Sequence, residues 1–285
     1  MSSDFQTTTH GKWILTGEHA VIRGSSALVF PLTDKTLTLA YHSSNQPDLD
    51  IKVDMIEQDA DDMRDLLQRL LHYGLPLISQ SYDTLIGTLQ IKSTIPVGVG
   101  MGASAALCVA LARWFSTQQW IKSTDEPSIA RKLEHFFHGQ SSGLDIAGVA
   151  SSIGICFQNG ITTPIYNTWS PNWRLSSCGQ QGPTADCIRK VQQFWQTHPE
   201  KASSIDQAMQ TSVEHAKQAL EAPYHPEKSR QKLAEAMTQA HQCFEDWGLI
   251  SDGLREHIDD LYAEGAFAAK PTGSGGGGYV VSLWE

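Results

Sequence analysis

Positive charge is scarce in this sequence. Lys and Arg number 21 against 31 Asp and Glu, a formal charge of −10. A nucleic-acid binder needs a cationic face to displace counterions, and a polybasic membrane anchor needs clustered Lys and Arg, so both classes are excluded. Long apolar runs are also missing. No stretch approaches the roughly 18 apolar residues of a membrane span, and the opening MSSDFQTTTHGKW has neither an apolar signal core nor an Arg-rich presequence. The five cysteines, Cys108, Cys156, Cys178, Cys187 and Cys243, are odd in number and contain no C-x-x-C pair. That excludes a disulfide framework or zinc knuckle and fits free thiols in a reducing compartment. The expected location is cytoplasmic. With 285 residues, 40% hydrophobic and 18% charged, the chain needs no covalent staple and is not disordered. An anionic substrate must be met by a local site made of a few cations, a metal or backbone N–H groups.

Residues 10–42 read as strands punctuated by Gly17, Gly24 and Pro31, with TLTLAYH (36–42) alternating at period two. DLDIKVDM (48–55) and TLIGTLQIKS (84–93) read as further strands. Between them Met63, Leu66, Leu67, Leu70 and Leu71 line one face of a helix over 59–73, which Gly74 and Pro76 are expected to stop. A Gly-rich loop then opens an Ala-rich helix (95–115), and Pro127 to Phe137 forms another. Residues 161–178 read as two strands. From about 181 to 265 amphipathic helices break near Pro199, Pro223 and Gly248, and YVVSLW closes the chain as a core strand. The pattern predicts an α+β fold in two lobes, divided as 1–160 and 161–285.

Three segments carry chemistry. Pro96-Val-Gly-Val-Gly-Met-Gly-Ala-Ser104 places glycines at alternate positions before a helix. Such a loop brings backbone N–H groups and the helix dipole to an anion. It is neither a Walker loop nor a good dinucleotide fingerprint, and a tight turn into a buried helix is the plainer alternative. Lys270-Pro-Thr-Gly-Ser-Gly-Gly-Gly-Gly278 is entropically costly to order, yet a core strand follows it, which argues against a mere linker. Gly11-Lys12-x-x-Leu15-x-Gly17-Glu18-His19 is either a functional turn or an edge-strand charge cluster.

Together and in this order, the three segments resemble the GHMP kinase superfamily, and within it most closely the mevalonate kinase branch. The loop is similar to that family's Pro-x-x-x-Gly-Leu-Gly-Ser-Ser-Ala-Ala, with Met101 for Leu and Ala103 for the first Ser. Glu134 followed by His138-Gly-Gln-Ser-Ser-Gly-Leu-Asp145 resembles Glu…His-Gly-x-Pro-Ser-Gly-x-Asp, with Ser141 for Pro. Ser177-Cys-Gly179 with Thr184 resembles the family's Thr-Gly stretch, and the last segment resembles Lys-x-Thr-Gly-Ala-Gly-Gly-Gly-Gly, with Ser274 for Ala. The resemblance covers residues 11 to 280.

It implies a mixed β/α N-terminal lobe, a helix-rich ferredoxin-like C-terminal lobe, and phosphoryl transfer from ATP to an alcohol. Mevalonate would be the acceptor, phosphorylated on its primary hydroxyl. By resemblance Asp145 is the base and Lys12 its partner, which stabilises the developing alkoxide; a plain salt bridge is the alternative. Pro96, Gly98, Val99, Gly100, Met101, Gly102, Ala103 and Ser104, with Gly273, Gly275 and Gly276, would hold ATP. Ser104 and Glu134 would ligate Mg²⁺, which prefers few protein oxygens and retains waters. Glu18, His19 and Thr184 would orient substrate. His135 and His138, three apart on a helix end, do not make a zinc site without a third ligand. A homodimer is left open. The competing readings are another GHMP small-molecule kinase, chiefly phosphomevalonate kinase, and a non-catalytic ligand-binding relative.

Overall fold

The computed structural model describes residues 4–44, 48–54, 57–138, 141–180, 182 and 184–285, with only the backbone described for 57–60 and 138. Contacts divide the chain into two compact units whose segments interleave: one holds residues up to Lys12, Pro31–Pro96 and Gly102–Ser152, the other Trp13–Phe30, Val97–Met101 and Ile153–Glu285. Among the described residues no helix is long and apolar enough to cross a membrane.

In the first unit, the far half of β2 (Ala27–His42) pairs antiparallel with β4 (Gly87–Ser93), Leu37 lying opposite Ser93, and β3 (Leu49–Asp54) adds parallel to β4. α1 (Glu57–Gly74), α2 (Ala103–Thr117), α3 (Glu126–His138) and α4 (Leu144–Ala150) complete it. The α2 residues Ala105–Ala112 are all buried, because small Ala side chains let α3 and α4 pack closely around it. α1 ends at Gly74, where the sequence places its stop. Gly74 lies in the last helical turn, where an added Cβ would fall 2.3 Å from Leu133 Cδ2. A side chain there would have to displace the end of Leu133 on α3.

In the second unit, Ala27–Val29 of β2 pairs with β5 (Ile155–Gln158), which turns through Asn159-Gly160 into β6 (Ile161–Pro164). Both turn residues have positive φ, 50° and 82°, as a two-residue hairpin requires. A second antiparallel sheet runs β7 (Asn172–Ser177), β9 (Tyr279–Trp284), β8 (Ala268–Thr272). α5 (Thr184–Thr197), α6 (Pro199–Glu221), α7 (Pro226–Asp246) and α8 (Asp252–Ala263) follow the expected breaks. Phe244, Trp247, Met209, Ile205 and Val191 form much of the core shared by α5, α6 and α7, while Leu254, Ile258 and Leu261 of α8 pack with Ala269, Val280 and Trp284 of β8 and β9.

The first strand, β1 (Phe5–Thr16), begins earlier than the sequence pattern suggests, and Pro31 interrupts nothing. Pro31 falls in residues 30–36, after the stretch paired with β5 and before the stretch paired with β4, so its missing N–H breaks no bond in either ladder.

Candidate active site

The candidate residues fall into two groups, one in each unit. In the first, Lys12 comes from β1 and Asp145 from the first turn of α4. Lys12 Nζ lies 2.9 Å from Asp145 Oδ1, the lysine buried and the aspartate about one-third exposed. A buried ammonium facing a half-open carboxylate can act on a hydroxyl that approaches from solvent. Gly102 creates the path for this lysine. A Cβ there would fall 2.9 Å from Lys12 Cγ and 2.9 Å from Val149 Cγ1, and the residue has φ +83°.

Glu134, on α3, is buried at 2% exposure. Its Oε2 accepts a hydrogen bond from Ser141 Oγ in the loop before α4. Burial, and then the negative charge of Asp145, push the Glu134 carboxyl up to about 7, against the opposing pull of Ser141 and Lys12. A buried carboxylate with a second carboxylate beside it gains from a hard divalent cation, so this donor set fits Mg²⁺. Ser104 sits in the first turn of α2, whose N-cap Gly102 offers no side-chain cap and whose first turn has no acidic residue. Gly139 and Gln140 lie outside the described residues. Among the described residues no group of three or more His, Cys, Asp and Glu side chains gathers at one point.

The second group is built on backbone. Gly98, Gly100 and Gly102 all have positive φ, 77°, 79° and 83°, while Val99 and Met101 between them do not. Glycines with positive φ at alternate positions let the backbone approach an anion closely. Met101 is buried and anchors the loop. Within this unit the C-terminal glycine loop runs beside residues 99–100. A Cβ built on Gly273 would lie 3.9 Å from Gly100 O, and one on Gly278 3.5 Å from Val99 O.

That glycine loop is bolted at many points. Gly276 N–H donates to Leu249 O at 2.7 Å and Gly278 N–H to Gln180 O at 2.7 Å. Cys187 Sγ donates to Gly275 O at 3.3 Å, and Ser274 Oγ to Thr184 Oγ1 at 3.3 Å. Cys178, Gln180 and Thr184 therefore meet the loop. The Gly17-Glu18-His19 turn meets it as well, through His19 Nε2 and Ser274 O at 2.9 Å.

His19 has φ 58° and ψ −47°, and Ala20 N–H reaches back to Glu18 O at 2.6 Å. This is the rare, strained form of γ-turn, with a cost on the order of 1–3 kcal/mol for a non-glycine residue. Burial holds the His19 imidazole neutral, lowering it to about 4. Glu18 is buried too and pairs with fully buried Lys270, Nζ to Oε1 2.6 Å. Burial raises the Glu18 carboxyl and lowers the Lys270 ammonium, each against the pull of its partner. Glu18 Oε2 has no hydrogen-bond partner among the described residues.

The family model for the GHMP kinases N terminal domain matches residues 65–153. A mevalonate kinase of Pyrococcus horikoshii is 27% identical over 95% of this chain and 86% of its own length. The chain belongs to the GHMP kinase superfamily. A crystal structure of L. major mevalonate kinase in complex with R-mevalonate superposes with a TM-score of 0.80 at 22% identity, covering 99% of this chain and 87% of that one. Lactococcus lactis galactokinase complexed with galactose superposes at 0.75 and 14% identity, covering 99% and 86%. At those identities the structural likeness speaks for the fold, a mixed α+β fold with two sheets and a helical C-terminal region.

As a GHMP kinase, the protein is an ATP-dependent kinase. Two residues at the site escaped the sequence reading. Lys270 stands in the quoted glycine segment, yet nothing there marked it as the partner of Glu18, 252 positions away. The small residues Ala268 and Ala269 before it, both buried, were the available signal that this lysine enters a core. Thr272 ties β8 to β1: its Oγ1 donates to Ile14 O at 2.9 Å and accepts from Ile14 N–H at 2.8 Å.

Proposed function

We propose that this GHMP kinase phosphorylates the primary hydroxyl of mevalonate, giving 5-phosphomevalonate and ADP. The observation that carries the reading is the Lys12–Asp145 pair at 2.9 Å with Glu134 beside it in one unit. In this reading an Asp145 oxygen takes the proton of the substrate hydroxyl as the new O–P bond forms, and the bond from the γ-phosphorus to the ADP oxygen breaks. Lys12 Nζ stabilises the negative charge that develops on the attacking oxygen. The backbone N–H groups of the first turn of α2 bind the nucleotide phosphates. Mg²⁺ would be held by Glu134 and Ser104 and would neutralise charge on the transferring phosphoryl group. In this reading Glu18 serves mainly by fixing Lys270 and the turn that carries His19, while His19 and Thr184 orient the acceptor's polar groups.

Mevalonate is favoured over phosphomevalonate by relatives that carry the name mevalonate kinase over 95% of the chain and by the state of the nearby cations. A phosphorylated acceptor needs uncommitted positive charge. In the second unit Lys270 is committed to Glu18, Arg23 to Asp206 through a two-pronged contact, and Lys190 to Gly248 O. An ADP-release assay with mevalonate, phosphomevalonate, homoserine and galactose tests the proposal. Mevalonate is expected to give the highest kcat/KM, and a clear preference for any other acceptor refutes it.

A further inference from the structure

We propose that Ser141 is a positioning residue that clamps the Glu134 carboxylate for the divalent cation. The proposal rests on the reading of Glu134 as a metal ligand. Ser141 occupies the place where the resemblance implies proline, and proline has no hydroxyl to offer. Here the hydroxyl has both its partners defined. Gly143 N–H donates to Ser141 Oγ at 3.0 Å, and that oxygen donates its one hydrogen to Glu134 Oε2. A carboxylate that ligates a cation is ionised and only accepts, so in that state the Ser141 hydroxyl is the donor.

The clamp is itself held. Arg131 Nε, on the same helix as Glu134, donates to Ser141 O at 2.8 Å, and Ser142 Oγ accepts from Leu144 N–H at 3.2 Å where α4 begins. The loop between α3 and α4 is thus tied at the serine backbone to the helix bearing Glu134, and at the serine hydroxyl to the turn leading to Asp145. A glutamate has three side-chain torsions, and burial alone leaves its terminal rotation open. Committing Oε2 to Ser141 stops that rotation and leaves Oε1 as the oxygen we assign to the cation. It also fixes the separation between Glu134 and Gly143, the N-cap of α4 two residues before Asp145. Outer hydrogen bonds of this kind govern metal affinity through the ligand they orient.

The test measures Mn²⁺ binding by electron paramagnetic resonance to the full chain with saturating ADP. Wild type, Ser141→Ala, Ser141→Thr and Glu134→Gln are compared, each checked by thermal melting. The alanine variant is expected to bind Mn²⁺ roughly 10-fold or more weakly, in the range of lost outer-shell partners. Threonine restores the hydroxyl and should recover most of the affinity. The steady-state counterpart is a raised Mg²⁺ requirement in Ser141→Ala with the acceptor KM unchanged. Wild-type Mn²⁺ affinity in Ser141→Ala, with affinity lost in Glu134→Gln, would overturn the clamp and leave the metal reading standing. Wild-type affinity in Glu134→Gln would overturn the metal reading and the clamp together. A threonine variant as weak as alanine would also overturn the clamp, because the hydroxyl would then not be what matters.

Discussion

At the scale of single residues the chemistry separates into groups that act and groups that hold. Asp145→Asn keeps the shape of the side chain but cannot accept the hydroxyl proton, so kcat should fall by roughly 10²–10⁴-fold with nucleotide binding retained. Lys12→Met should also be slow. If the pair at 2.9 Å acts as a unit, the double variant should lose less than the sum of the single losses in free energy. Steady-state kinetics on the four proteins, with calorimetric ADP binding, decide this; near-normal turnover in Asp145→Asn removes the base role. Two other buried groups give stability opposite pH slopes. Folded His19, lowered to about 4, binds fewer protons than an unfolded histidine at 6.5, so its contribution is present above pH 6.5 and is lost as pH falls through 4. Folded Glu134, raised from 4.5 to about 7, binds more protons than its unfolded counterpart, so its contribution is present below pH 4.5 and is lost as pH rises through 7. The two windows overlap between pH 4.5 and 6.5, where the slopes oppose each other, so urea unfolding in chelator should show stability falling more steeply with pH in His19→Asn, and rising more steeply in Glu134→Gln, than in wild type. Unchanged slopes in both variants would contradict these assignments. Asparagine suits the first test because it tolerates positive φ better than most residues.

At the scale of elements, the glycine loops are two kinds of object under one composition. Gly273 has φ +103°, and a Cβ there would meet nothing nearer than Gly100 O at 3.9 Å; Gly276 has φ +74°, and its Cβ would fall 2.8 Å from Cys187 Sγ. Gly273→Ala should therefore cost only backbone strain, on the order of 1–2 kcal/mol, while crowding the face turned to the nucleotide loop. Gly276→Ala adds a clash and should melt lower than Gly273→Ala, with part of the loss recovered by adding Cys187→Ala. Melting temperatures and ATP KM for the three variants check the order; equal melting of the two single variants would show that the Cys187 contact is not limiting. The sequence made these loops visible as glycine runs. It could not separate a glycine needed for its φ from one needed for its missing Cβ, since that depends on which distant side chain packs there. The same limit explains Gly74, which reads as a helix stop and is also a slot for Leu133, and Pro31, which reads as a strand break and sits in a gap between two pairings. Periodicity, by contrast, located the helices from 184 to 263 well, because amphipathic spacing is local information.

At the scale of the whole chain, what the sequence read least well is what joins distant positions. Lys12, Asp145, Glu134 and the glycine segments stood out as candidates because each sits in a dense local motif. The Glu18–Lys270 pair was not, because its partners are 252 residues apart and each motif looks complete without the other. The pair closes the second unit by joining the turn after β1 to β8, beside the Ile14–Thr272 bonds that span 258 residues. Both partners are almost fully buried, at 2% and 0% exposure. Desolvating two charges offsets much of their attraction, so the intact pair adds little net stability, but removing one partner strands the other. Lys270→Met should thus lower unfolding free energy by about 3–5 kcal/mol, and Glu18→Gln by less, since an amide can still accept from the lysine while leaving its charge uncompensated. A Glu18→Leu, Lys270→Met double variant should recover part of the loss, because two apolar groups of similar volume leave no buried charge unpaired. Yet it should remain poor in turnover, because the turn that carries His19 loses its tie to Lys270 of β8 and keeps the His19–Ser274 bond as its hold on the glycine loop. Denaturant unfolding of all four proteins, read beside their kcat, separates the two roles. A double variant as unstable as Lys270→Met alone would mean that the lysine stem and its hydrogen bond to Pro271 O, rather than the ion pair, hold this part of the chain together.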